Sequence, residues 1–293
     1  TVSAFGLAFV LTVAFLLQER RAIEPILPLD LFKNHTFSIT SLIGFVIGAG
    51  MFGAIIMIPL YLQLVKQDSA TTAGLKLIPF MLGIVSMSMI SGKQISKKGH
   101  YKRFPVIGLS IMTAGLALLN RLSENTSFGE LAVYEFMIGM GLGFSMQPIV
   151  IALQNDVDFK DMGIATSANA FFRSVGSTIG VALFGTIYAN SLGKHIPEKI
   201  AELTASNPAA LVGATPEKFE ALKNNSEVLN TFTPELKSGI LNAFVHSFHD
   251  VFLSALPVTA IGIIFALMIR EKPLRTGQEF AAAKEEAAGE QFA

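Results

Sequence analysis

Arg173 makes the strongest demand on its surroundings, because it lies inside a long run otherwise free of charge, Met162 to about Asn190. At 1.5 Å per helical residue it sits roughly 16 Å from the start of that run, close to mid-bilayer. A guanidinium at that depth costs at least about 2.5 kcal/mol and requires a counter-charge or water. Asn169, Arg173, Gly176 and Gly180 fall at helical spacing, so one face carries an amide, a cation and two small residues. Such a stripe turns toward other helices or an aqueous cavity, not toward lipid. Two roles stay open for Arg173: substrate binding or gating, and a structural ion pair or snorkelling. Glu135 is the acid inside the run from about Leu131 to Leu153, roughly one turn from its end. It is a proton-coupling candidate, because a carboxyl taken out of water is more cheaply held neutral. A simpler account has it reach water at the helix end.

Other patterns carry less. His246, His249 and Asp250 cluster at one mouth of the last run, but no HExxH spacing is present, and no metal site is expected. Gly139-x-Gly141-x-Gly143 resembles a phosphate loop only in spelling, since no strand precedes it and it lies within an apolar run. The runs hold no paired acids, no serine–lysine or serine–histidine pair and no zinc ligands, so an enzyme is not expected. No cysteine is present, which removes disulfides and thiolate sites. Phenylalanines (24) and methionines (11) can fill lipid-facing or core positions, or line a soft cavity for flat hydrophobic cations. The cavity candidates are Arg173, Asn169, Gln147, Phe52, Tyr61, Met81 and Phe172, with Phe45, Met57, Phe80 and Met146 in reserve.

What must position these residues is a set of membrane helices. Half the residues are hydrophobic, 15% are charged, and 22 basic residues balance 22 acidic ones. That balance gives no basic face for nucleic acid. Seven apolar stretches follow one another: 1–17, 33–66, 72–92, 104–120, 131–153, 162–190 and 244–269. Six are about as long as a bilayer core requires, roughly 20 residues, and the first, opening on Thr1, reads as a partial helix of a longer protein. Proline in or beside five runs (Pro59, Pro79, Pro105, Pro148, Pro257) suits bundled membrane helices, whose neighbours re-satisfy freed carbonyls. Lysine and arginine crowd alternate loops and the tail, which the positive-inside rule assigns to the cytoplasm. The expected organisation is a linker helix (1–17), a cytoplasmic loop (18–36), a six-helix bundle (37–269) with an extracellular loop at 191–242, and a cytoplasmic tail (270–293). In that loop, Thr215-Pro216-Glu217 and Thr233-Pro234-Glu235 each read as a helix cap, first-turn proline and dipole-matched acid, predicting two short outer helices.

Gly92-Lys93-Gln94-Ile95-Ser96-Lys97-Lys98-Gly99-His100-Tyr101-Lys102-Arg103 predicts a tight basic turn in which glycines allow the reversal. This segment resembles the loop signature of the major facilitator superfamily, with Ser96 at the usual acidic position. Gly92, Lys97, Lys98, Gly99, Lys102 and Arg103 are then the gating-loop residues. Glu24-Pro25-Ile26-Leu27-Pro28-Leu29-Asp30-Leu31-Phe32-Lys33-Asn34-His35-Thr36-Phe37 resembles the entry to the ninth helix of fourteen-helix drug:H+ antiporters, the antiporter-2 family. Gly163-Ile164-Ala165-Thr166-Ser167, Asn169 and Phe172-Arg173-Ser174-Val175-Gly176 resemble that family's thirteenth helix. The resemblance implies an all-α, polytopic membrane protein: the C-terminal six-helix major-facilitator bundle with one preceding linker helix. It implies the back half of a multidrug exporter in the cell membrane, driven by a proton gradient without a cofactor, with a cytoplasmic C-terminus. Its partners would be the bilayer, small hydrophobic or cationic substrates, and an N-terminal half not included here. The second, third, fifth and sixth runs would face the cavity. An exporter of a metabolite, lipid or siderophore on the same scaffold is the alternative, and a membrane scaffold or sensor would need a larger soluble output domain.

Overall fold

The computed structural model describes residues 2–19, 29–211, 215, 218 and 226–275. Its long elements are α1 (Val2–Glu19), α2 (His35–Leu64), α3 (Ala70–Leu75), α4 (Ile78–Lys98), α5 (Arg103–Leu119), α6 (Phe128–Asp156), α7 (Met162–Ser206) and α8 (Pro234–Met268). No strand occurs among the described residues. Short polar side chains set the helix starts. Asn34 Oδ1 accepts from Phe37 N–H at 2.9 Å, Ser127 Oγ from Glu130 N–H at 3.2 Å, and Thr233 Oγ1 from Leu236 N–H at 3.4 Å. Gly99 ends α4 at φ 73°, the left-handed conformation that glycine adopts without a Cβ penalty.

Among the described residues, five helical segments are long and apolar enough to cross a membrane: α2, α3–α4, α6, α7 with its preceding turn, and α8. The sixth, α5, has 17 residues, about 26 Å at 1.5 Å each, at the short end of a spanning helix. The bundle has two principal seams: α6 lies against α4 and α5, and α2 lies against α7 and α8, with α5–α8 and α2–α6 contacts joining them. Backbone touches backbone along both. A Cβ on Gly139 of α6 would stand 2.1 Å from the Phe80 carbonyl oxygen of α4, and one on Gly48 of α2 would stand 2.1 Å from that of Arg173 on α7. Small residues therefore set the spacing, as expected where lipid gives no hydrophobic drive between helices. By contrast α4 turns Met81, Leu82, Val85 and Met89 outward, and α7 turns Phe171, Ile179 and Leu183 outward.

Three boundaries differ from those read off the sequence. α4 does not stop near Gly92 but runs to Lys98, so Gly92 is a helical residue with open space around it. α7 continues 16 residues past Asn190 to Ser206. Thr233-Pro234 does not open a separate outer helix; it caps α8 itself, which is continuous from Pro234 through the apolar run. In each case charged residues tolerate a helix in water, so the end of hydropathy is not the end of the hydrogen-bond ladder. At Thr215, the Lys218 N–H bonds the Thr215 carbonyl at 3.0 Å, a single turn; the rest of that predicted outer helix lies outside the described residues, as does the tail from 276.

Candidate functional site

The α2–α7 seam is tight in the middle and open at the end where α2 begins. Gly44 and Gly48 admit α7 so closely that Asn169 lies over Gly44, with Nδ2 3.4 Å from the position a Cβ would take. The predicted stripe therefore faces α2: Gly176 and Gly180 meet the carbonyls of Phe45 and Ala49. Asn169 is buried (3% exposed) and its Nδ2 has no hydrogen-bond partner. Arg173 is half-buried in the same stripe, and among the described residues no acid pairs with it. Toward the opening, the helices part into a groove of about 420 Å³ lined by Phe32, Ser38, Ser41, Phe45, Phe172 and Val175. Phe32 stands edge-on to Phe172, ring centroids 5.8 Å apart. The walls are apolar except for hydroxyls, and Ser41 Oγ is buried without a partner. Aromatic faces and one spare hydroxyl suit a flat amphipathic guest.

The other cavity candidates scatter. Tyr61 belongs to the core: it is fully buried, donates from its hydroxyl to the Ser123 carbonyl at 2.7 Å, and packs on Phe248. Met81 (55% exposed) lies on the outward face of α4, and Gln147 is exposed on α6. The side chain of Phe52 lies outside the described residues. Glu135 does not reach water at the helix end. It is 0% exposed, and neither carboxyl oxygen has a hydrogen-bond partner. The cause is its angular position on α6: Phe136 and Gly139 meet α4 while Ile138 and Gly141 meet α5, which leaves Glu135 enclosed in the bundle. Among the described residues no three His, Cys, Asp or Glu side chains are arranged to hold a metal ion.

The basic loop is built differently from the reading above. Lys97 and Lys98 occupy the last turn of α4, where cations complement the helix dipole, and Gly99 alone makes the reversal. Lys102 and Arg103 open α5, Arg103 on the exposed side. The residue that anchors this loop is Tyr101, which was not singled out. Its hydroxyl accepts from Lys272 N–H at 2.8 Å and donates to the Arg270 carbonyl at 3.3 Å, and burial pushes its phenol pKa up. Asn155 joins in, giving Nδ2 to the Pro273 carbonyl (2.9 Å) and taking Arg275 N–H on Oδ1 (2.8 Å). Lys272 pairs with the 5% exposed Asp156 carboxylate. Neither these contacts nor Ser41 and Phe32 had a sequence signal beyond residue type, because each joins segments far apart in the chain.

Comparison with known proteins fits this architecture. The model of the Major Facilitator Superfamily matches residues 2–181. An MFS-type transporter of Mycobacterium tuberculosis is 35% identical over 260 residues, covering 89% of this chain and 36% of that protein. The multidrug transporter protein MdtP of Bacillus subtilis is 32% identical over 298 residues, covering 96% of this chain and 54% of that protein. The chain thus spans between about a third and a half of the length of these relatives. The crystal structure of the Escherichia coli fucose:proton symporter superposes with a TM-score of 0.54 at 20% identity, over 82% of this chain and 49% of that one. That likeness concerns the fold alone.

Proposed function

This chain belongs to the major facilitator superfamily, and on that premise we propose that it forms the second bundle of a proton-coupled exporter of amphipathic or cationic drugs. The superfamily makes it a transporter in a membrane, not an enzyme, and a relative named for multidrug transport supports drug export. The observation that carries the reading is the aromatic groove between α2 and α7, about 420 Å³, beside the half-buried Arg173. Its size falls within the range of small-molecule sites, and its phenylalanines offer faces to planar rings without demanding one shape. The outward apolar faces of α4 and α7 then meet the companion bundle across a central cavity, and the two bundles rock around it. Glu135 is the candidate to hold and release a proton, because among the described residues none hydrogen-bonds either carboxyl oxygen. In this arrangement the protein lies in the cell membrane with the basic loops and the tail in the cytoplasm.

The test uses the full-length transporter in cells loaded with a fluorescent planar cation. Phe172→Ala with Phe45→Ala removes two of the three phenylalanines that line the groove, and efflux is expected to fall at unchanged membrane expression. Wild-type efflux and wild-type competition by a second drug would place the substrate elsewhere.

A further inference from the structure

At the end of the bundle away from the basic loops, α7 and α8 rise together beyond the apolar runs. Ser191, His195 and Glu198 share one face of α7, at offsets of four and seven. His246, His249 and Asp250 stand opposite on α8. His195 lies between two carboxylates: Nε2 is 3.1 Å from Asp250 Oδ2, and Nδ1 is 3.3 Å from Glu198 Oε2. Asp250 also accepts from Ser191 Oγ, which ties the same carboxylate twice to α7. A neutral imidazole donates from one ring nitrogen and presents a lone pair on the other. Neutral His195 therefore satisfies one carboxylate and sets a lone pair against the second. Only the imidazolium donates to both.

We infer that His195 is a proton-binding site on this face of the protein, and that its occupancy clasps α7 to α8. The neighbouring rings do not share the arrangement. His249 Nε2 is engaged by the Leu122 carbonyl at 2.8 Å, and the His246 ring stands 5.6 Å from that of His195 and 5.8 Å from that of His249. Among the described residues, the other ionisable groups here are Lys194, exposed on α7, and Lys199, which pairs with Glu202 at 2.7 Å. The turn Pro208–Leu211, packed on both helices, carries no ionisable side chain. His195 is 23% exposed, open enough to exchange a proton with water. With the proton bound, the His195–Asp250 contact between α7 and α8 is an ion pair; with it lost, Nε2–H still donates to Asp250, but the contact no longer joins opposite charges. This inference does not depend on drug export.

Spin labels on Thr204→Cys of α7 and Ser238→Cys of α8, in the full-length protein with any other cysteine replaced, report the clasp. The inter-label distribution is expected to be narrow at about pH 5.5 and to lose its narrow component at about pH 8.5. His195→Gln should be broad at both values, His246→Gln should keep the wild-type response, and Asp250→Asn, which retains the bulk, should behave as His195→Gln does. The inference fails if the wild-type distribution is the same at both pH values, if His195→Gln keeps the response, or if His246→Gln alone abolishes it.

Discussion

Arg173 and Glu135 make opposite demands of one bundle. Arg173 is a cation in a helix seam with no acidic partner among the described residues, while Glu135 is a carboxyl with both oxygens unengaged and no exposure. A charged group left unpaired away from water is costly, so each is retained for what it binds or is a weak point of the fold. Substitution separates the two. Arg173→Ala is expected to abolish efflux of a planar cation by the full-length protein at normal membrane expression; efflux at wild-type rate would reduce Arg173 to a structural residue. Glu135→Gln keeps volume and neutral polarity, so expression and melting temperature should be unchanged while the pH dependence of efflux flattens. A wild-type pH profile in that variant would remove Glu135 from coupling. At this scale the sequence was half legible. It picked out both residues and the stripe of Asn169, Gly176 and Gly180, because helical spacing fixes a face. It did not show that Glu135 is enclosed or that Tyr61 is a core residue. Those facts depend on which helices lie alongside, and Tyr61 finds its acceptor, the Ser123 carbonyl, 62 positions away.

Among elements, glycine identity says little and glycine position says much. Gly48 and Gly92 look alike in the sequence, and Gly92 was the one expected to make a turn. The structure reverses their importance: a Cβ at Gly48 collides with the Arg173 carbonyl at 2.1 Å, whereas one at Gly92 meets nothing within 4 Å. Gly48→Ala must push α2 off α7, and overpacking of this kind costs about 1–3 kcal/mol. Gly92→Ala, inside the helix and facing open space, should be neutral or stabilising by about 0.5–1 kcal/mol. Melting of the purified protein in detergent checks the pair, and equal melting temperatures would refute the close α2–α7 approach. A third substitution addresses the anchor of the α4–α5 loop. Tyr101→Phe deletes the bonds to Lys272 N–H and the Arg270 carbonyl, and should destabilise by about 1–2 kcal/mol; no loss would mean that water replaces the hydroxyl. The apolar cores of the helices were legible because hydropathy reports what lies in lipid. Their ends were not, because the charged residues of Lys93–Lys98 simply continue the helix in water, and α7 runs on to Ser206 even through Pro197.

At the level of the whole molecule, the two ends differ in chemistry, and the proposed orientation in a bilayer rests on that difference. One end gathers Lys97, Lys98, Lys102 and Arg103 with Arg270, Lys272 and Arg275, and Tyr101 and Asn155 hold the segment after α8 against it. These contacts place the α4–α5 loop, the end of α6 and the segment after α8 on one face, as the alternation of basic loops required. The other end carries the α7 extension and the start of α8, packed around Leu203, Leu229, Phe232 and Leu236. Lysine and arginine are retained on the cytoplasmic side during insertion, and the proposed orientation accordingly puts the first end inside and the second outside. Ser96, exposed in the last turns of α4, and Ser206, exposed at the end of α7, mark the two. In intact cells expressing the full-length protein without other cysteines, a membrane-impermeant maleimide should label Ser206→Cys at once. Ser96→Cys should react only after the membrane is opened. Labelling of both from outside would break the assignment of the basic end to the cytoplasm. Reversed labelling would also put His195 in the cytoplasm, where it would bind its proton from the inner compartment.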